Sequence, residues 1–162
     1  MRADLDFEEF ASVTADRFFR TAYAITRDSQ HAEDAVHAAL AVTSRHWRKV
    51  SQQDPEAYVR RMIVNEILGR RRAVRQPAEA PVRRYIAAPE QQVVDTDAVW
   101  DALLELPVEQ RAIIVLRYYE RLGDADLAAT LGIRPDTVTG ETSAALANLR
   151  RLLTVRRHGA RA

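Results

Sequence analysis

The chain has 162 residues, 47% of them hydrophobic, with five Gly, six Pro and no Cys, which suits one core or two small ones and excludes a disordered tail, a loop-rich β protein, disulfides and Cys-ligated zinc. No apolar run approaches the roughly 20 residues that span a bilayer, and the start MRADLDFEEF has neither the basic end nor the apolar middle of a signal peptide, so the expectation is a cytoplasmic, all-α protein with no membrane contact. The formal net charge of +1 conceals blocks: residues 1–40 hold eight acids and four Arg, residues 60–75 six Arg against Glu66 alone, residues 89–110 six acids without Lys or Arg, and the stretch from Arg150 onward five Arg without an acid.

Phe7, Phe10, Ala11, Thr14, Phe18, Ala22 and Ile25 recur at the three- and four-residue intervals of a helix with one buried stripe, which predicts a first helix over about 6–26. After RDSQ, where Asp28 or Ser29 can cap, the spacing of Val36, Leu40, Thr43, Trp47 and Val50 predicts a second helix. Asp54 as a cap, Pro55 at the first helical position and the stripe Val59, Ile63, Ile67 predict a third, running to about Arg75. Residues 76–92 contain three of the six prolines and no sustained period, the signature of a linker. DTDAVWDALLEL and PVEQRAIIVLRYYERL then read as two helices divided at Pro107. A short helix is expected from a cap at Asp124 to Gly132. A last helix is expected from Pro135 to about Thr154, with Val138, Thr142, Ala145, Leu149 and Leu152 inward. The domain limits that follow are 1–75, a linker over 76–94, 95–156, and a basic tail over 157–162.

The pair of helices around Gly132 has helix-turn-helix spacing, in which the first helix braces the second so that its amino-terminal end enters a major groove. In the front half, Arg60, Arg61, Arg70, Arg71, Arg72 and Arg75 beside Tyr58 and Trp47 combine phosphate neutralisation with rings on which bases stack, a mixture suited to opened strands. Capping a helix end needs fewer charges than this, which favours nucleic acid for the arginines, whereas burial in the core is the favoured reading for Trp47 and Tyr58. His31, Glu33, Asp34, His37 and His46 supply no third ligand at a metal-binding interval, so neither metal nor cofactor is expected. There is no Gly-rich phosphate loop and no nucleophile elbow, so an enzyme is not expected either.

DFEEF, RTAYAITRDSQHAEDAVHAAL, DPEAYVRRMIVNEILGRRR and LPVEQRAIIVLRYYERLGDADLAATLG, followed by TV and ALANLRRL, stand in one order over nearly the whole chain. In these pieces the sequence resembles the extracytoplasmic-function sigma factors of bacterial RNA polymerase, above all their actinobacterial SigE-like group. The resemblance implies a first helical domain that binds the polymerase clamp and the −10 element, and a second that binds the flap and the −35 element. Core RNA polymerase and promoter DNA are the implied partners, joined by the inhibitory anti-sigma protein that such factors often have. It places Glu33, Asp34, His37 and Trp47 at polymerase contacts and Asn65 near the −10 bases, alongside the arginines and Tyr58 named above. In the second domain Arg134, Thr137, Thr139 and Ser143 fall at DNA contacts.

Two departures from the family pattern stand out. Where an acidic or amide pair usually follows AED, one further residue and Val, this chain has His37 and Ala38. Where Lys-Ser-Arg or a relative is common, it has Thr139, Gly140 and Glu141. Major-groove readout uses Arg, Lys, Asn and Gln donors, and a carboxylate repels phosphate, so a weak −35 grip is expected. The small, uncharged face of Gly140, Ser143, Ala144 and Ala147 suggests an alternative: a sigma-derived regulator that no longer initiates and uses its second domain to bind another protein or a second copy of itself.

Overall fold

A computed structural model describes residues 6–69 and 97–159, and among these every regular element is a helix. The chain divides into two compact units, within Met1–Pro89 and Glu90–Ala162.

In the first unit α1 (Phe7–Thr26), α2 (Ser29–Arg45) and α4 (Pro55–Ile67) pack mutually, with the short α3 (Trp47–Val50) beside α2. The expected stripe of α1 is the buried one: Phe10, Ala11, Thr14, Phe18, Ala22 and Ile25 all face inward, meeting Val36 and Leu40 of α2 and Val59, Ile63 and Ile67 of α4 in a common core. Both acidic caps work as the sequence implies: Asp28 accepts from the His31 amide at 2.8 Å and Asp54 from the Ala57 amide at 3.1 Å, with Pro55 in the first turn.

Two expectations are corrected here. The second helix is not continuous to Val50: His46 leaves helical geometry at φ −112° and ψ 13°, its amide donating to the Thr43 carbonyl at 3.1 Å to tighten the last turn. The third helix does not reach Arg75. It ends at Ile67, where the Leu68 amide closes on Val64 at 2.9 Å and Gly69 turns into the left-handed region at φ 65°.

The second unit is organised by α8 (Pro135–Gly159), against which α5 (Asp97–Glu105), α6 (Val108–Ile114) and α7 (Asp124–Leu131) each pack. Pro107 separates α5 from α6 as expected, and Arg111 holds that corner by donating to the carbonyls of Leu103 at 2.9 Å and Leu106 at 3.1 Å, at the end of α5. Beyond Ile114 the helix widens into a π turn over Val115–Tyr119. Arg117 then bridges to the next element, donating to the Leu122 carbonyl at 3.1 Å and pairing with Asp124 at 2.7 Å. Asp124 is therefore not the cap: that position is Gly123, and the carboxylate of the first helical residue is turned toward Arg117. α8 also outruns the expected Thr154, continuing to Gly159, so residues 157–159 of the expected tail are helical. Arg156 accounts for the extension by pairing with Glu105 and, at 3.7 Å, with Asp101 on α5, while Asn148 donates to Gln110 at 2.9 Å on α6.

Candidate nucleic-acid interface

On the first unit the candidate surface is the edge of α4. The period that buries Val59, Ile63 and Ile67 leaves Arg61 exposed and Tyr58, Arg60 and Asn65 half-buried at the rim of the core. The Arg61 guanidinium lies 5.7 Å from the centre of the Tyr58 ring, a cation–π pair with one ring edge in the core and the charge in solvent. Such a pair offers a stacking platform and a phosphate counter-charge within one helical turn. Arg17 of α1 reaches Glu56 at 2.7 Å, tying the start of α4 to α1; both partners are well exposed, so the pair orients more than it stabilises. Arg70, Arg71, Arg72 and Arg75 lie outside the described residues, beyond the end of α4.

The proposed polymerase residues lie on α2 and α3. Asp34 is exposed and accepts from Gln30 at 2.9 Å, while Glu33 and His37 are half-buried one turn apart. His37 presents a buried Nε2 that makes no hydrogen bond. Trp47 has a second use: it packs against Phe7 at 5.5 Å and Phe10 at 5.0 Å between ring centres, closing the open end of the α1 stripe. No cluster of three or more His, Asp or Glu fit to hold a metal ion occurs among the described residues.

On the second unit α7 and α8 form the helix-turn-helix, joined by Gly132, Ile133 and Arg134. Gly132 takes φ 67°, a conformation that costs a side-chain-bearing residue and lets the chain reverse while the Ile133 amide bonds to Ala128 at 3.1 Å. Leu127, Ala128 and Leu131 of α7 bury with Val138, Ala145 and Leu149 of α8, which fixes the opposite side of α8 as the one available to a groove. There Thr139, Gly140 and Ser143 are exposed, and Thr137 and Glu141 are exposed at its flank. Arg134 is exposed too, with its guanidinium on Asp136 at 2.8 Å, and the Thr137 hydroxyl donates to the Arg134 carbonyl at 2.7 Å.

Sequence reading passed over one feature, the exposed aromatic pair Tyr118 and Tyr119 at the π turn. A signal was available, because two adjacent residues lie about 100° apart on a helix and cannot share the centre of a buried stripe.

Residues 13–76 match the family described as sigma-70 region 2, and residues 96–149 match sigma-70 region 4. The RNA polymerase sigma-E factor of Streptomyces coelicolor is 32% identical over 98% of this chain and 92% of its own length. The ECF RNA polymerase sigma factor SigM of Mycobacterium tuberculosis is 34% identical over 83% of this chain and 70% of its own. Among solved structures, the sigma factor RpoE of Bartonella quintana, crystallised with the anti-sigma factor NepR, shares the fold with a TM-score of 0.65 at 23% identity, over 93% of this chain and 98% of that one.

Proposed function

The chain belongs to the sigma-70 family of RNA polymerase sigma factors, in the extracytoplasmic-function group, and from this we propose a division of labour between its two units in promoter-specific transcription initiation. The first unit, with limits near 1–75, binds core RNA polymerase through the α2 face around Glu33, Asp34 and His37, with Trp47 setting the shape of that end. It contacts the −10 element along α4 through Tyr58, Arg60, Arg61 and Asn65, the cluster Arg70, Arg71, Arg72 and Arg75 adding phosphate contacts. The second unit, near 95–156, presents α8 to the −35 element, with Arg134 at the backbone and Thr137, Thr139 and Ser143 at the groove.

The observation that carries this assignment is the solvent-side edge of α4, where a guanidinium lies 5.7 Å from the centre of a phenol ring on the side that carries Asn65. Strand opening is a matter of capture: once a base leaves the duplex, stacking on an aromatic face and neutralisation of its phosphate hold it out. The protein performs no covalent chemistry and works in the cytoplasm beside the polymerase that supplies catalysis. No helix of the described residues is long and apolar enough to cross a membrane. An inhibitory protein partner is proposed as well, since the B. quintana sigma factor was crystallised with one. Family membership favours initiation over the alternative of a regulator that has lost it.

Transcription reconstituted with actinobacterial core polymerase and a promoter library is the test. Factor-dependent transcripts sharing a −10 motif are expected, and their absence would remove the proposal.

A further inference from the structure

Between its first turn and Ala147, the groove-side flank of α8 carries one charged residue, and it has the unexpected sign; the next charge on the same row is Arg151, near the other end of the helix. Spacings of four and three place Thr137, Glu141 and Ala144 in a row, with Gly140 alongside, and all four are exposed while Val138 and Ala145 face the core. Asp136 is already matched by Arg134 at 2.8 Å. Among the described residues no ion pair or hydrogen bond engages the Glu141 carboxylate. Gly140 is the second observation. A Cβ built there would meet nothing within 4 Å, so the fold gives no reason for a residue that weakens a helix interior. The missing side chain instead lets an approaching molecule come close to the helix backbone.

The chemistry of the groove floor narrows what a lone carboxylate can read. Guanine shows two acceptors, N7 and O6, and repels it. Adenine offers its N6 amine beside the N7 acceptor, so attraction and repulsion oppose. Cytosine shows only the N4 amine, a donor without an adjacent acceptor on the same base. We infer that Glu141 determines the −35 specificity of this factor by accepting a hydrogen bond from the N4 amine of a cytosine, with Gly140 allowing the base edge to approach. The inference rests on the initiation function and on α8 as the groove-entering helix. A carboxylate in this role lowers overall affinity by repelling phosphates, yet it raises discrimination, since a wrong base leaves it desolvated without a partner.

The test is transcription by the full-length factor with core polymerase from promoters that keep one −10 element and carry every base at each −35 position. One position is expected to favour cytosine by about tenfold over guanine. Glu141→Gln should move the preference there to adenine, whose N6 and N7 match an amide, and Glu141→Ala should erase it while factor-dependent transcription persists. A factor-dependent transcript with no cytosine preference, or a preference that Glu141→Gln leaves unchanged, overturns the inference alone. The absence of any factor-dependent transcript overturns the initiation reading and this inference with it.

Discussion

Along α4 the solvent-side edge carries Arg61, 5.7 Å from the centre of the Tyr58 ring, with Asn65 one turn on. Along α8, from Asp136 to Ala147, there is no Lys or Arg at all. Both helices are fixed by the same device, a buried aliphatic stripe that leaves the opposite side free, so the contrast lies in the free side. A cationic aromatic edge binds any strand that becomes single, because charge and stacking are indifferent to base identity. A neutral to acidic edge gains little from the phosphates and must rely on the bases themselves. On the assignment proposed above, affinity and discrimination are separated between the units.

The hardest way to break that comparison is to unfold one side of it. Leu40 is fully buried among α1, α2 and α4, and Leu40→Ala should cost about 2–5 kcal/mol. Amide hydrogen exchange should show the loss confined to residues 6–69. A matching loss in residues 97–159 would mean that the units do not hold their stability separately.

How far the comparison was legible beforehand depends on which residues set it. The stripes and caps were legible, since Phe10 to Ile25, Asp28, Asp54 with Pro55, and Gly132 act through local spacing and backbone chemistry. The uncharged face of α8 followed from the same spacing, once Val138 and Ala145 were taken as inward. What was not legible depends on partners in other elements. Asp124 looks like a cap until Arg117 claims its carboxylate, and α8 continues to Gly159 because Arg156 finds Asp101 and Glu105 on α5. The stop at Ile67 had a local sign in Gly69, which the stripe Val59, Ile63 and Ile67 does not register.

Restoring cations to α8 should erase the contrast rather than unfold it. Thr139 and Glu141 are exposed, so Thr139→Lys combined with Glu141→Arg should leave the fold intact. Affinity for −35 duplex should rise by about tenfold or more at low salt, with a slope against log salt steeper by up to about two units. Fluorescence anisotropy over a salt series measures both, and unchanged affinity would mean that this side of α8 does not face DNA.

The converse change on the first unit is smaller, because Arg61 is one of several cations. Arg61→Ala should weaken promoter complexes of the holoenzyme by about three- to tenfold, to a similar degree for all sequences, and reduce the salt slope by about one. A loss that depended on base identity would assign readout to Arg61 and undo the separation argued above.

Gly140 gives the smallest effect and the finest distinction, because stability and function should move in opposite directions. Its Cβ position is open and it lies within α8, so Gly140→Ala should stabilise the second unit by up to about 1 kcal/mol, read from chemical denaturation of the full chain followed by hydrogen exchange in residues 97–159. If the glycine is kept for close approach of a base edge, the same methyl group should narrow the difference between the best and worst −35 sequences, while transcription driven by the −10 element alone stays level. A more stable variant with undiminished discrimination would leave Gly140 without a role at the groove, and would shift the burden of readout entirely onto the side chains beside it.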